Sequence, residues 1–160
     1  MSTRLDFSIA CDIKRHAPER VIKVLKHMTR TREAEFDEDD LPEHEFFEDE
    51  FWADLLQLTR HETMGSFPGN AISTFFQEYR YTRDGEDVYL HTLHFRRYIP
   101  AEAYNDHLSF LQWLAPHSET EGFVGYVHAE HSLHPELIYF QNRQPYVVDT
   151  KRITWFPWEE

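Results

Sequence analysis

Two segments of alternating residues, "AISTFFQEYRY" (71–81) and "DVYLHTLHFRRY" (87–98), lie near the middle of the chain and are joined by "TRDGED" with Asp84-Gly85 inside it. Apolar and polar side chains recur with the period of two that a half-buried strand needs. Asp-Gly supplies the left-handed backbone of a tight turn, so the pair reads as a β-hairpin. A hairpin at this place constrains its surroundings, because whatever folds before and after it has to pack onto the same sheet.

The flanks repeat one layout. Leu5, Phe7 and Ile9 alternate with Asp6, Ser8 and Ala10, which predicts a first strand; Pro18 then opens a helix, since its missing N–H is one that a helix start leaves unpaired anyway. In that helix Val21, Val24, Leu25 and Met28 form an apolar stripe with Ile22 at its edge, and His16, Arg20, Lys23, His27 and Arg30 form a basic outer stripe. After the hairpin, Pro100 opens a second helix in which Tyr104, Leu108, Leu111 and Ala115 make one stripe, flanked by Phe110 and Trp113, and which ends before Pro116. "FWADLLQL" (51–58) reads as a short helix and "MGSFPGN" (64–70) as turn chemistry. "GFVGYVHAEH" and "ELIYFQNRQPYVV" read as two more strands, and "ITWFPW" as a candidate last one.

Strand, helix, strand, strand, helix, strand is the order of the split βαβ layout. The expected fold is therefore α+β: an antiparallel sheet with two helices on one face, ferredoxin-like, with extra C-terminal strands. With 160 residues, 41% apolar content and 25 aromatic side chains, the chain makes one domain over residues 1–160. Met1 is followed by no apolar leader and no apolar run approaches the length needed to cross a bilayer, so the expectation is a soluble, cytoplasmic chain with no membrane contact. Cys11 is the single cysteine, which excludes an intrachain disulfide and a thiolate metal cage.

An insertion at about 33–58 separates the first helix from the hairpin. Residues 33–54, "EAEFDEDDLPEHEFFEDEFWAD", hold twelve carboxylates and no Lys or Arg, so almost all of the net charge of −13 sits in one block. Aromatic side chains sit among the acids. In the plainer reading the carboxylates face water and the basic helix while the aromatics pin the segment to the body. In the functional reading Phe46, Phe47, Phe51 and Trp52 dock the segment, and Asp37, Glu38, Asp39, Asp40, Glu43 and Glu48 are displayed to a basic protein partner, steering its approach. A calcium loop in "DEDD" is disfavoured, since Pro42 stands where such a loop needs Gly.

Other chemistry finds less support. His91 and His94, three apart on a strand, point to opposite faces, and His128, His131 and His134 complete no known ligand pattern, so neither a metal nor another cofactor is expected. Cys11 with His16 is a candidate nucleophile and base, against the plainer reading of a buried structural cysteine. No nucleophile elbow, phosphate loop or zinc-protease motif argues for an enzyme. Arg20, Lys23, Lys26 and Arg30 would suit nucleic acid, but the neighbouring acidic block repels phosphate, so direct nucleic-acid binding is not expected. An alternative function is a small-molecule binder or enzyme with a pocket between sheet and second helix, lined by Tyr79, Tyr81, His91, His94 and Trp113. Trp155, Phe156 and Trp158 form an aromatic tail expected to pack on the body or to join two copies into a homo-oligomer.

The stretch "EGFVGYVHAEHSLHPELIYFQNRQ" (121–144), preceded by "FLQWLAPH", resembles segments of small uncharacterised bacterial α+β proteins of an immunity-protein-like kind. The resemblance covers the last third of the chain and rests on the Gly-Tyr pair and the "LIYF" strand. It implies a bacterial cytoplasmic binding protein, an immunity or inhibitor protein, and carries over no functional residue.

Overall fold

The computed structural model describes residues 3–30, 36–57, 72–154 and 156–157. Its elements run β1 (Arg4–Ile13), α1 (Glu19–Met28), β2 (Ser73–Arg83), β3 (Glu86–Pro100), α2 (Tyr104–Leu114), β4 (Gly122–Ala129), β5 (Glu136–Gln141) and β6 (Gln144–Asp149). Three 3-10 turns, Glu38–Asp40, Glu45–Phe47 and Glu50–Asp54, lie between α1 and β2. The six strands form one sheet in the order β2-β3-β1-β4-β5-β6, and every neighbouring pair is antiparallel. The class is α+β.

β1 is central, paired with β3 on one side and β4 on the other. Leu5, Phe7, Ile9, Cys11 and Ile13 point to one face and are all buried, as the period of two requires of a strand covered by helices. α2 covers this face: the Phe7 ring lies 5.3 Å from the His107 ring, and Phe95 lies 6.1 Å from Phe110. Val21, Val24, Leu25 and Met28 of α1 enter the same core, so the apolar stripe read from the sequence is the stripe that packs.

The two-residue turns set the registers. Asp84 and Gly85 have φ of 50° and 81°, the doubly left-handed turn whose twist matches the strands it joins, and β2 pairs with β3 from Ser73↔Arg96 to Arg83↔Glu86. Residues 136–148 are not one strand but two, because Asn142 and Arg143 also adopt positive φ, 51° and 63°, and fold β6 back on β5. Arginine pays a steric penalty in that conformation, and the turn carries no glycine to announce it. β6 is an edge strand, where Pro145 is tolerated since its nitrogen has no ladder bond to make.

Further expectations change. α2 buries His107, Phe110, Leu111, Trp113 and Leu114, while Tyr104 and Leu108 are only half-buried, so its inner face is rotated towards His107. The short helix read in "FWADLLQL" is a 3-10 helix over Glu50–Asp54, with Leu58 outside the described residues, as is "MGSFPGN". Among the described residues of "ITWFPW" there is no strand: a 3-10 turn at Thr150–Arg152 leads into Ile153, and Phe156 is 84% exposed, so it does not pack on the body. Trp155 and Trp158 lie outside the described residues. No helix among the described residues is long and apolar enough to cross a membrane.

His107 gives the fold a pH dependence. Its Nδ1–H donates to the Ala103 carbonyl at 2.7 Å, while Nε2 is buried without a hydrogen-bond partner. Burial, with Arg97 adding to it, lowers the imidazole from 6.5 to about 4 against the opposing pull of the Ala103 carbonyl. A lowered histidine costs stability in acid, because the unfolded chain takes the proton first. The contribution is whole above the unfolded value and falls away towards the folded one. Between pH 6.5 and 5 the protein should lose about 1.5 kcal/mol through this group, the slope rising from half to nearly the whole of roughly 1.4 kcal/mol per pH unit. Urea unfolding across that interval should show a shallower loss in His107→Leu than in the parent protein; equal slopes would remove His107 as the cause.

Candidate functional site

Residues 36–57 of the acidic segment form a strap over both helices. Pro42 prevents a continuous helix and holds Leu41 extended, with φ −60° and ψ 133°. What forms instead is three short turns, each closed by a side chain at its start. Asp37 accepts from the Asp39 amide at 3.1 Å, His44 Nδ1 from the Phe46 amide at 3.1 Å, and Asp49 from the Phe51 amide at 3.0 Å.

Aromatic side chains fix the strap to the helices. Phe46 packs 5.3 Å from Phe110 and Phe47 meets Trp113 edge-on at 4.9 Å, both on α2. Phe36 stacks on His27 of α1 at 4.6 Å, and Trp52 sits 5.6 Å from the same imidazole and 5.4 Å from Phe47. At the far end the Gln57 amide donates to the Met28 carbonyl, and the Thr74 hydroxyl donates to the Leu56 carbonyl at 3.0 Å. Phe46, Phe47 and Trp52 are thus buried anchors. Phe51 is not: it is 74% exposed, because the turn that brings Trp52 inward carries the preceding residue outward.

The carboxylates stay at the surface. Of the ten in residues 36–57, nine are exposed and Asp40 is half-buried. Lys23 lies 3.6 Å from Asp40 and Arg30 lies 3.5 Å from Asp54; the other eight have no basic partner among the described residues. Both pairs are solvent-exposed and each contributes at most about 1 kcal/mol. Asp37, Glu38, Asp39, Glu43 and Glu48 are thus exposed, and Asp40 is half-buried beside Lys23.

Of the alternative pocket residues, Tyr79 and Tyr81 stack at 5.9 Å, but the five do not gather around one pocket. The β2–β3 register puts Tyr79, Tyr81 and His94 on the face away from the helices and His91 on the helix side. There His91 stacks on Phe76 at 5.0 Å and lies 3.6 Å from Glu78, and burial lowers its pKa despite that carboxylate. His94 stacks on Phe75, and Tyr79 donates to Asp12 at 3.0 Å. Trp113 is taken up by Phe47, Phe110 and His117. His128 contacts the Ser132 carbonyl at 2.5 Å and His131 is exposed with φ of 65°. Among the described residues no group of three His, Cys, Asp or Glu side chains is placed to hold a metal ion. Cys11 is buried, and burial pushes its thiol up to about 12, while His16 is exposed.

A second constellation is invisible in the sequence. On the sheet face away from the helices, Asp6 is 3% exposed and accepts from Arg96 Nε at 3.0 Å and Nη2 at 2.8 Å, and from the Tyr126 hydroxyl at 3.3 Å. The Arg96 guanidinium also lies 5.6 Å from the centre of the Tyr98 ring. The bidentate bond to Asp6 is the main cause that raises the Arg96 pKa. Asp6 reads as an ordinary outward residue of an alternating strand until β3 and β4 are aligned beside it. No protein-family model, curated protein or solved structure matches this chain, so its function is argued from this geometry.

Proposed function

We propose that the chain is a cytoplasmic protein-binding module, of the immunity or inhibitor kind, that presents its acidic strap to a basic protein partner. The scaffold in this reading is a ferredoxin-like domain extended by β5 and β6. The sequence of elements and the β2-β3-β1-β4 strand order support that reading.

One observation carries the proposal: ten carboxylates are fixed on an aromatic-anchored strap, and eight of them have no cation beside them among the described residues. Fixed like charges repel one another, and a basic surface that docks on them relieves that repulsion. Beforehand they raise the encounter rate through their long-range field.

The test is capture from the native host on immobilised protein, comparing the parent chain with a variant in which Asp37, Glu38, Asp39, Asp40, Glu43 and Glu48 become Asn or Gln. The parent should retain a basic protein that the variant loses, with the melting temperature of the variant unchanged or raised. Recovery of the same proteins on both would overturn the reading.

A further inference from the structure

Where the strap meets the start of α2, Glu45 and Asp49 from the strap and Asp106 from the first turn of α2 converge on a cleft of ≈ 80 Å³. Its walls are Phe46, Trp52 and Leu55, and the exposed Phe51 stands at its side. Glu45 and Asp49 lie four residues apart on the strap and Asp106 is brought to them from α2, and none of the three has a basic partner among the described residues. Asp49 is held in place by the bond it accepts from the Phe51 amide. Phe51, the one strap aromatic that fails to dock on the body, is left in water at the mouth of this cleft.

We propose that this cleft is the anchor point of the interface, and that it takes a single arginine side chain from the basic partner. The proposal rests on the partner reading above and adds to it the residue that is recognised. Charge complementarity and shape select the occupant. An arginine offers an apolar stem for the walls formed by Phe46, Trp52 and Leu55, a planar cation to stack on an aromatic ring, and forked donors for carboxylates. The cleft has room for one side chain and is far below the size of a pocket for a drug-sized molecule. Anchors of this type dominate binding energy, whereas the surrounding charges mainly set the encounter rate.

N-acetyl-arginine amide and its uncharged counterpart N-acetyl-citrulline amide are the probes, followed by amide shifts of the full chain in solution. The arginine probe should shift Phe51, Trp52 and Asp106 saturably, and the citrulline probe should not. Asp106→Asn and Phe51→Ala should each weaken the arginine response several-fold. The variant neutralised at Asp37, Glu38, Asp39, Asp40, Glu43 and Glu48, none of which lines the cleft, should keep that response apart from a general loss of long-range attraction. With a captured partner, Asp106→Asn should speed dissociation roughly tenfold and leave the association rate nearly constant. Equal responses to the two probes, or an arginine response unchanged in both Asp106→Asn and Phe51→Ala, would overturn the anchor. Failure to capture a basic protein would instead overturn the wider reading, and the probe measurement separates the two.

Discussion

Replacing Asp6 with alanine should cost about 3–5 kcal/mol of stability, because it leaves the Arg96 guanidinium in the sheet without the carboxylate that neutralises it. Asp6 is almost fully buried and only 18% of the Arg96 side chain is exposed, so water replaces little of what is lost. The Tyr126 hydroxyl loses its acceptor in the same step. Asp6→Asn keeps one oxygen acceptor and should fall between the parent and the alanine variant. Removing both charges together, as in Asp6→Leu with Arg96→Met, should recover most of the loss, since well-packed apolar pairs commonly replace buried ion pairs without penalty. Urea unfolding of the four proteins measures this. A single-variant loss below about 1 kcal/mol would mean that the pair is as weak as an exposed one.

Gly125→Ala should be of comparable size, about 3 kcal/mol or more, for a purely steric reason. A Cβ at this position would lie 1.9 Å from the Ser8 carbonyl oxygen and 2.8 Å from its carbon. These atoms belong to β1, the strand paired on both sides, so neither can retreat without disturbing two ladders. The β4–β5 register shifts between Phe123 and Gly125, and glycine serves the bulge there by letting β4 approach β1 closely. Thermal melting should place this variant far below the parent or show no cooperative transition. A melting temperature within about two degrees of the parent would contradict the close approach.

What was legible in the sequence is what local pattern decides. The α1 face of Val21, Val24, Leu25 and Met28 follows from a period of 3.6, and the β2–β3 hairpin follows from Asp84-Gly85, because both signals lie within a few residues of what they specify. The β5–β6 turn escaped because Asn142-Arg143 reaches positive φ without glycine. The inner face of α2 is rotated from the stripe that the pattern marks, because His107, a polar residue by type, is buried against Phe7 while Tyr104 and Leu108 are half-buried. Long-range register decided the rest. Tyr79, Tyr81, His91, His94 and Trp113 look like a pocket when strand faces are left open, and the actual pairing keeps Tyr79 stacked on Tyr81 but puts His91 and Trp113 on the other side of the sheet. The same pairing assembles Asp6, Arg96 and Tyr126, residues 90 or more positions apart from Asp6 along the chain. On the strap, composition foretold carboxylates outside and aromatics beneath; the phase of the last 3-10 turn then turned Trp52 in and Phe51 out.

Association kinetics across ionic strength test most directly whether the strap carboxylates act on a partner before contact. With the captured basic partner, the parent chain should associate fast at low salt and slow steeply as salt rises, because exposed charges are screened over about 8–10 Å. The variant neutralised at Asp37, Glu38, Asp39, Asp40, Glu43 and Glu48 should start slower and depend far less on salt, with its fold intact. If the two proteins associated at the same rate at every salt concentration, the strap would be a solvated cover for the helices and the binding face would lie elsewhere, on the side of the sheet that carries Asp6 and Arg96.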